Sequence, residues 1–202
     1  MNERPESAIE QVRDAIKEFN YDKLANCVNL NELINKGYDE ATEELARRCE
    51  EFHALYPADL FFQFGAQVVR NYNEKYRVVH LMFVNLVLIA YFDKNLKQPE
   101  TFEDNPINYA AAELRKFLSA IHSDIKEVQA DENFATVTVE LNGDDSYYGR
   151  FVKQLKIKAE MSRENDEHWK INKIANVKEL VSPILEIAET FWPHSWDLGI
   201  KL

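Results

Sequence analysis

The period of the hydrophobic pattern changes along this chain of 202 residues, and that change restricts its fold more than any other feature. In the first 121 residues, apolar side chains recur every three or four positions, which is typical of amphipathic helices. From about residue 125 to residue 176 they alternate with polar side chains, which is typical of half-buried antiparallel strands. The segment from Val177 to Phe191 returns to the helical period. The pattern predicts an α+β fold.

The helical part, about residues 5–121, contains residues that begin and end helices. Proline favours the first helical position, and aspartate or asparagine side chains cap a helix N-terminus. Glycine favours the position just after a helix. These signals predict segments with the bounds Pro5–Phe19, Asp22–Val28, Asn31–Gly37 and Asp39–Leu55, then a helix capped by Asp59 and one that begins at Pro106.

The longest apolar run extends from Val78 to Phe92 and is interrupted by His80 and Asn85. An apolar character on nearly all sides predicts a helix that is buried on most sides. The run is shorter than the roughly 20 residues that span a bilayer, so we expect a core helix and no membrane span. Its β-branched content leaves a buried strand open as an alternative.

The alternating part predicts an antiparallel meander of three to four strands over about residues 125–176. Two strands cover residues 135–141 and 155–161, and the turn residues Asn142–Asp145 follow the first of them. The last strand, residues 169–174, shifts its hydrophobic phase, which indicates a bulge. Residues 125–130 add a further short strand. The C-terminal helix is expected to pack back on the domain.

Two segments resemble a known superfamily. The sequence IEQVRDAIKEFNYDKL at residues 9–24 reads as a helix, a short break and a second helix. The strands DENFATVTV at 131–139 and HWKINKI at 168–174 form the other part of the pattern. Together they are similar to the NTF2-like (cystatin-like α+β) superfamily, especially its small bacterial members. The resemblance implies a curved sheet wrapped around helices with a conical pocket, in proteins that include isomerases, dehydratases, transport factors and binding modules, so the fold does not choose the function.

Charge and motif content exclude several classes of function. The chain has 35 acidic and 24 basic residues, a net charge of -11, whereas duplex binding needs a basic face. The five glycines are too widely spaced for a phosphate-binding or dinucleotide-binding loop. There is no G-x-S-x-G or H-E-x-x-H motif, and no two histidines lie three or four positions apart. We therefore predict no catalytic residue, no metal site, no cofactor and no nucleic-acid partner.

The polar start of the chain and the absence of an N-x-[ST] acceptor indicate a cytoplasmic protein. Cys27 and Cys49 form no C-x-x-C motif, and Cys49 lies on an apolar stripe where a free thiol behaves as a small hydrophobe. A disulfide between them stays open. The first residues contain no secretory signal, although a chain from which a signal had been removed would look the same.

Polar residues inside the apolar run are the first candidate site. Tyr72, Tyr76 and His80 lie at i, i+4 and i+8 of one helix. Tyr76, His80 and Asn85 are therefore candidate ligand-binding residues that line a pocket, with His80 as proton donor or acceptor. In the other interpretation, His80 is a core histidine with a hydrogen-bond partner, since an unpartnered buried polar group costs about 1–3 kcal/mol.

The aromatic tail of the chain is the second candidate. Trp192, His194 and Trp196 lie in its last eleven residues. Such side chains either fold back on the core or form a surface for a partner, because aromatic residues are enriched at interfaces.

These observations predict one soluble α+β domain over residues 1–202, with a helical part at 1–121 and a sheet with a C-terminal helix at 122–202. The expected function is a non-enzymatic binding or protein-interaction module that forms a homodimer through its sheet or binds a further protein or small molecule. The alternative is a small-molecule isomerase or lyase that uses His80 and Tyr76 in a conical pocket.

Overall fold

The computed structural model describes residues 4–163 and 168–191 and has the predicted α+β fold. Helices come first, a sheet follows, and a helix ends the described chain. The elements are α1 (Pro5–Glu18), α2 (Tyr21–Cys27), α3 (Leu30–Arg47), α4 (Cys49–Leu55), α5 (Leu60–Gln63), α6 (Ala66–Phe92), α7 (Pro106–Ser119), β1 (Ile121–Ala130), β2 (Phe134–Gly143), β3 (Leu155–Ser162), β4 (Lys170–Ile174) and α8 (Val177–Phe191).

The strands form one antiparallel meander in the order β1-β2-β3-β4. Val137 in β2 pairs with Val128 in β1 and with Ala159 in β3, so these apolar residues share one face of the sheet. The alternation of apolar and polar residues therefore separates an inner face from an outer one, as predicted. β1 begins at Ile121, four residues before the strand that the sequence predicts.

The predicted bulge lies in the last strand pair. Met161 lies opposite Ile171, whereas Glu160 lies opposite Lys173. One residue of β4, Asn172, therefore has no opposite partner in this ladder, which is the geometry of a β-bulge. The phase shift in the sequence is confirmed as a bulge.

Helices α1, α2, α6 and α7 contribute side chains that pack with the inner face of the sheet in the main cluster of buried residues, which we call the sheet core. Ala15 and Val137 are completely buried there, and Trp169 is 2% exposed. Val87, Tyr91 and Phe92 of α6 also belong to this cluster.

A second cluster, the helical core, is formed by α3, α4, α5, α8 and the first turns of α6. Its buried members are Ala46, Cys49, Phe52, Phe62, Val69, Val181 and Leu185. Because the C-terminal half of α6 belongs to the sheet core and Val69 belongs to the helical core, α6 connects the two.

Two predicted helix boundaries, one from Gly37 and one from Asp59, are wrong or incomplete. α3 continues through Gly37, where the sequence predicts a helix end, and the break falls at Arg48 instead. A glycine inside a helix costs about 1 kcal/mol, and the packing of α3 along α6 outweighs that cost. Asp59 does cap a helix by accepting a 2.8 Å bond from the Phe61 amide, but α5 has four residues. Gly65, with φ at +84°, then separates α5 from α6 in a conformation that favours glycine.

Helix α6 is longer and less buried than the sequence predicts. It has 27 residues because it begins at Ala66, twelve residues before the apolar run. By length and composition alone it could cross a membrane, a test that core helices of soluble proteins also pass, and 22% of the window that meets this test is buried. The expectation of burial on most sides is wrong, because Val78 is 76% exposed and Ile89 is 62% exposed.

Candidate functional site

One side of α6 carries the aromatic residues that the sequence singled out. The ring centroids of Tyr72 and Tyr76 are 4.7 Å apart, and those of Tyr72 and His80 are 5.7 Å apart. Tyr38 of α3 completes the group, with its hydroxyl oxygen 2.8 Å from Nδ1 of His80. The structure therefore brings Tyr76 and His80 together as predicted. Sequence reasoning missed Tyr38 because it lies next to Gly37, where a helix end was expected.

The hydrogen bonds of this group connect α3 to α6. The Tyr38 hydroxyl lies 3.1 Å from the main-chain carbonyl oxygen of Asn73, to which it can donate, and 2.8 Å from Nδ1 of His80. Burial lowers the pKa of His80 below its ordinary value and raises the pKa of Tyr38 to about 12. Both side chains are therefore neutral near pH 7. The arrangement gives His80 the partner that a partly buried histidine needs.

A polar groove of about 280 Å³ adjoins this group between α3 and α6. Two ion pairs cross it, since Arg77 Nε lies 2.7 Å from Asp39 Oδ1 and Arg70 Nη2 lies 2.8 Å from Glu43 Oε1. Each guanidinium therefore has its own carboxylate, and the groove has no excess charge from these pairs. The residues that line it are Tyr38, Asp39, Thr42, Glu43, Arg70, Asn73, Glu74 and Arg77, so neither His80 nor Tyr76 contributes to its wall.

Asn85 does not belong with His80. Its side-chain amide donates to the main-chain carbonyl of Leu81 at 2.7 Å, within the same helix, and the residue is exposed. The predicted pocket residue therefore lies on the outer side of α6. The helical period explains the separation, because residues five apart lie on opposite sides of a helix.

The outer side of α6 forms a contiguous apolar surface, which we call the exposed α6 face. Its residues recur at helical spacing on the side opposite the buried Val87 and Tyr91. Val78 and Ile89 are the most exposed of them. Single exposed apolar side chains are ordinary, whereas large contiguous apolar patches are typical of sites that bind proteins, membranes or ligands. The face consists of Val78, Val79, Met82, Asn85, Leu86 and Ile89.

The last turn of α6 is fixed by Arg115 of α7. The Arg115 guanidinium donates to the carbonyl of Tyr91 at 2.9 Å and to that of Asp93 at 2.6 Å. It also stacks on the ring of Phe19, 4.1 Å from the centroid. A cation at this position satisfies carbonyls that the helix end leaves unpaired and complements the helix dipole. Tyr38 fixes the middle of α6 and Arg115 fixes its end, so the exposed outer side belongs to a helix that is held at two places.

The other candidates give less information. Trp192, His194 and Trp196 lie outside the described residues. Cys27 and Cys49 are buried thiols, and no disulfide joins them. Within residues 4–163 and 168–191, no group of three or more His, Cys, Asp or Glu side chains could hold a metal ion.

Comparison of the chain with family models, curated proteins and solved structures finds no match.

Proposed function

We propose that this protein is a binding and protein-interaction module that acts through the exposed α6 face. The observation that carries the proposal is the row of five apolar side chains, at 37–76% exposure, on a helix held in place at its middle and its end. Full burial of one such side chain contributes about 1.5–3 kcal/mol, so a partner that covers the row gains a substantial free energy.

The surroundings of His80 favour a structural role over catalysis. Its Nδ1 is occupied by Tyr38, and the rings of Tyr72 and Tyr76 lie against it. The groove beside it is lined by Tyr38 and not by His80. The alternative function, an isomerase or lyase that uses His80 and Tyr76, therefore receives less support than the interaction module.

We also propose a relationship to the NTF2-like superfamily. The helix pair α1 and α2 that precedes the sheet, and the four-stranded antiparallel meander that packs on it, support this relationship. Because that fold serves both binding and catalysis, it does not decide between the two functions.

The proposal is tested by placing charge on the face and measuring stability. Val78→Lys combined with Met82→Lys should change the melting temperature of the monomeric chain by less than about 4 °C, since surface substitutions alter stability by about 0.5 kcal/mol each. Val84→Lys, on the other side of α6, is the matched control. A fall of about 10 °C for the double variant alone would show that the face is packed inside the chain and would overturn the proposal.

Native mass spectrometry tests the alternative function. A bound species of a few hundred daltons that is lost on denaturation would favour a small-molecule pocket and count against the interaction module. We expect the wild-type chain to carry no such mass.

A further inference from the structure

The pattern of the exposed α6 face matches the seam of a helix pair. Its central residues Val78, Met82, Asn85 and Ile89 are separated by four, three and four positions, the spacing of the inward positions of a coiled coil. Val79 and Leu86 flank this seam. Asn85 is the one polar residue of this seam. We infer that the exposed α6 face binds the same face of a second copy of this chain, with the two helices antiparallel. This inference rests on the proposed function.

Charges at the two ends of the face decide the orientation. Glu74 and Lys75 precede the apolar row, and Asp93 and Lys94 follow it, and all four residues are exposed. A two-fold rotation about the middle of the row, near Val84, places Lys75 opposite Asp93 of the second copy and Glu74 opposite Lys94 of the second copy. A parallel pair would instead place each of these residues opposite the same residue of the second copy, and therefore opposite a like charge. The antiparallel arrangement is therefore complementary at both ends.

The size of the face sets the expected strength of the dimer. Under a two-fold rotation near Val84, residues 76–92 of the two helices lie opposite each other, which is about 25 Å of helix, and a partner helix covers a strip about 10–12 Å wide. Such a strip is smaller than the roughly 800 Å² that each partner buries in a standard specific interface. We therefore expect a dimer that forms reversibly and dissociates on dilution.

A lipid surface is less suited to this face than a second copy. The chain has a net charge of -11, and each end of the row carries one acidic and one basic residue and therefore no basic cluster. Anionic bilayers attract clusters of basic residues and repel such a surface. Asn85 near the middle of the row also suits a protein partner better than hydrocarbon, in which an unpaired amide group is costly.

Sedimentation equilibrium of the full chain between about 1 and 100 μM tests the inference, since a small interface suggests a micromolar dissociation constant. We expect a reversible transition from 23.6 kDa to twice that mass. Val78→Lys with Met82→Lys should remain monomeric throughout, with an unchanged circular dichroism spectrum, whereas Val84→Lys should dimerise as the wild type does.

Charge reversal tests the orientation. Lys75→Glu should weaken the dimer about two- to tenfold, because two exposed ion pairs become repulsive. Adding Asp93→Lys to the same chain should restore the affinity, which a parallel pair would not do. A dimer weakened by Lys75→Glu but not restored by the second change would overturn the antiparallel assignment.

Other outcomes separate this inference from the proposed function. A chain that is monomeric at every concentration overturns the homodimer, while the melting experiment above still decides whether the face is free to bind a different partner. A dimer that survives Val78→Lys with Met82→Lys places self-association elsewhere and overturns the inference. Co-sedimentation of a monomeric wild type with vesicles of anionic and zwitterionic phospholipid, lost in the double lysine variant, would show that a bilayer occupies the face instead.

Discussion

Removing one oxygen atom from Tyr38 should loosen the connection between α3 and α6. The substitution Tyr38→Phe deletes the hydroxyl that bonds both the Asn73 carbonyl and Nδ1 of His80. The ring stays the same size, so its apolar contacts are kept. The exposed ion pair between Arg77 and Asp39 also links the two helices, but such pairs contribute at most about 1 kcal/mol.

The expected cost follows from the two lost bonds. Each net hydrogen bond contributes about 0.5–1.5 kcal/mol, so the free energy of unfolding should fall by about 1–3 kcal/mol. For a chain of this length, 1 kcal/mol corresponds to about 2–4 °C, so the melting temperature should fall by about 2–12 °C. The larger values apply if the carbonyl of Asn73, a residue that is 8% exposed, finds no water in place of the hydroxyl.

Urea unfolding followed by circular dichroism measures this cost, and Tyr76→Phe is the matched control. That substitution removes the same atom from the same helix pair, and within the part of the chain that the structure describes the Tyr76 hydroxyl has no hydrogen bond. We expect Tyr76→Phe to change the free energy of unfolding by less than about 0.5 kcal/mol. If the Tyr38 and Tyr76 variants lose the same free energy, the bonds of Tyr38 do not stabilise the helix pair and the reasoning fails. A change in the urea slope would instead mean that two-state unfolding no longer holds.

Three further predictions concern the cores and the titration of His80. Cys27 and Cys49 should resist thiol reagents until the chain unfolds, because both are buried and burial raises the pKa of Cys49; labelling of the native chain at the rate of the unfolded chain would contradict this. Phe62→Ala should cost about 3–5 kcal/mol in chemical unfolding, since Phe62 is 2% exposed in the small helical core, and a cost under 1 kcal/mol would show that this core is loosely packed. Stability should fall as the pH drops below about 6.5, because the lowered pKa of His80 means that the unfolded chain binds the proton first; His80→Gln should flatten this acid-side dependence, and an unchanged pH profile would refute it.

Signals that act within a few residues were the most reliable ones in this sequence. Pro5 and Pro106 begin helices as predicted, because their fixed φ and missing N–H suit the first turn. Asp59 caps a helix, and the phase shift in the last strand is a bulge. The alternation in β2 and β3 also predicted which residues face the core.

Local sequence preferences worth about 1 kcal/mol gave wrong predictions where packing between distant segments opposed them. Gly37 could end a helix, but the contacts of α3 with α6 keep it helical. Tyr38 and His80 are 42 residues apart, and no local pattern links a residue beside a predicted helix end to a histidine in another helix. The sequence alone therefore could not predict this hydrogen-bonded pair, which depends on how α3 and α6 pack together.

The sequence by itself determined that helices precede an antiparallel sheet, because the hydrophobic period of each segment depends only on neighbouring residues. It could not determine which side of α6 is exposed to solvent. An apolar run without a polar side is equally compatible with a helix buried on all sides and with a helix buried on one side only. Only the tertiary placement of α3, α7 and the sheet decided this, because together they bury Val87 and Tyr91 and leave Val78, Met82 and Ile89 in solvent.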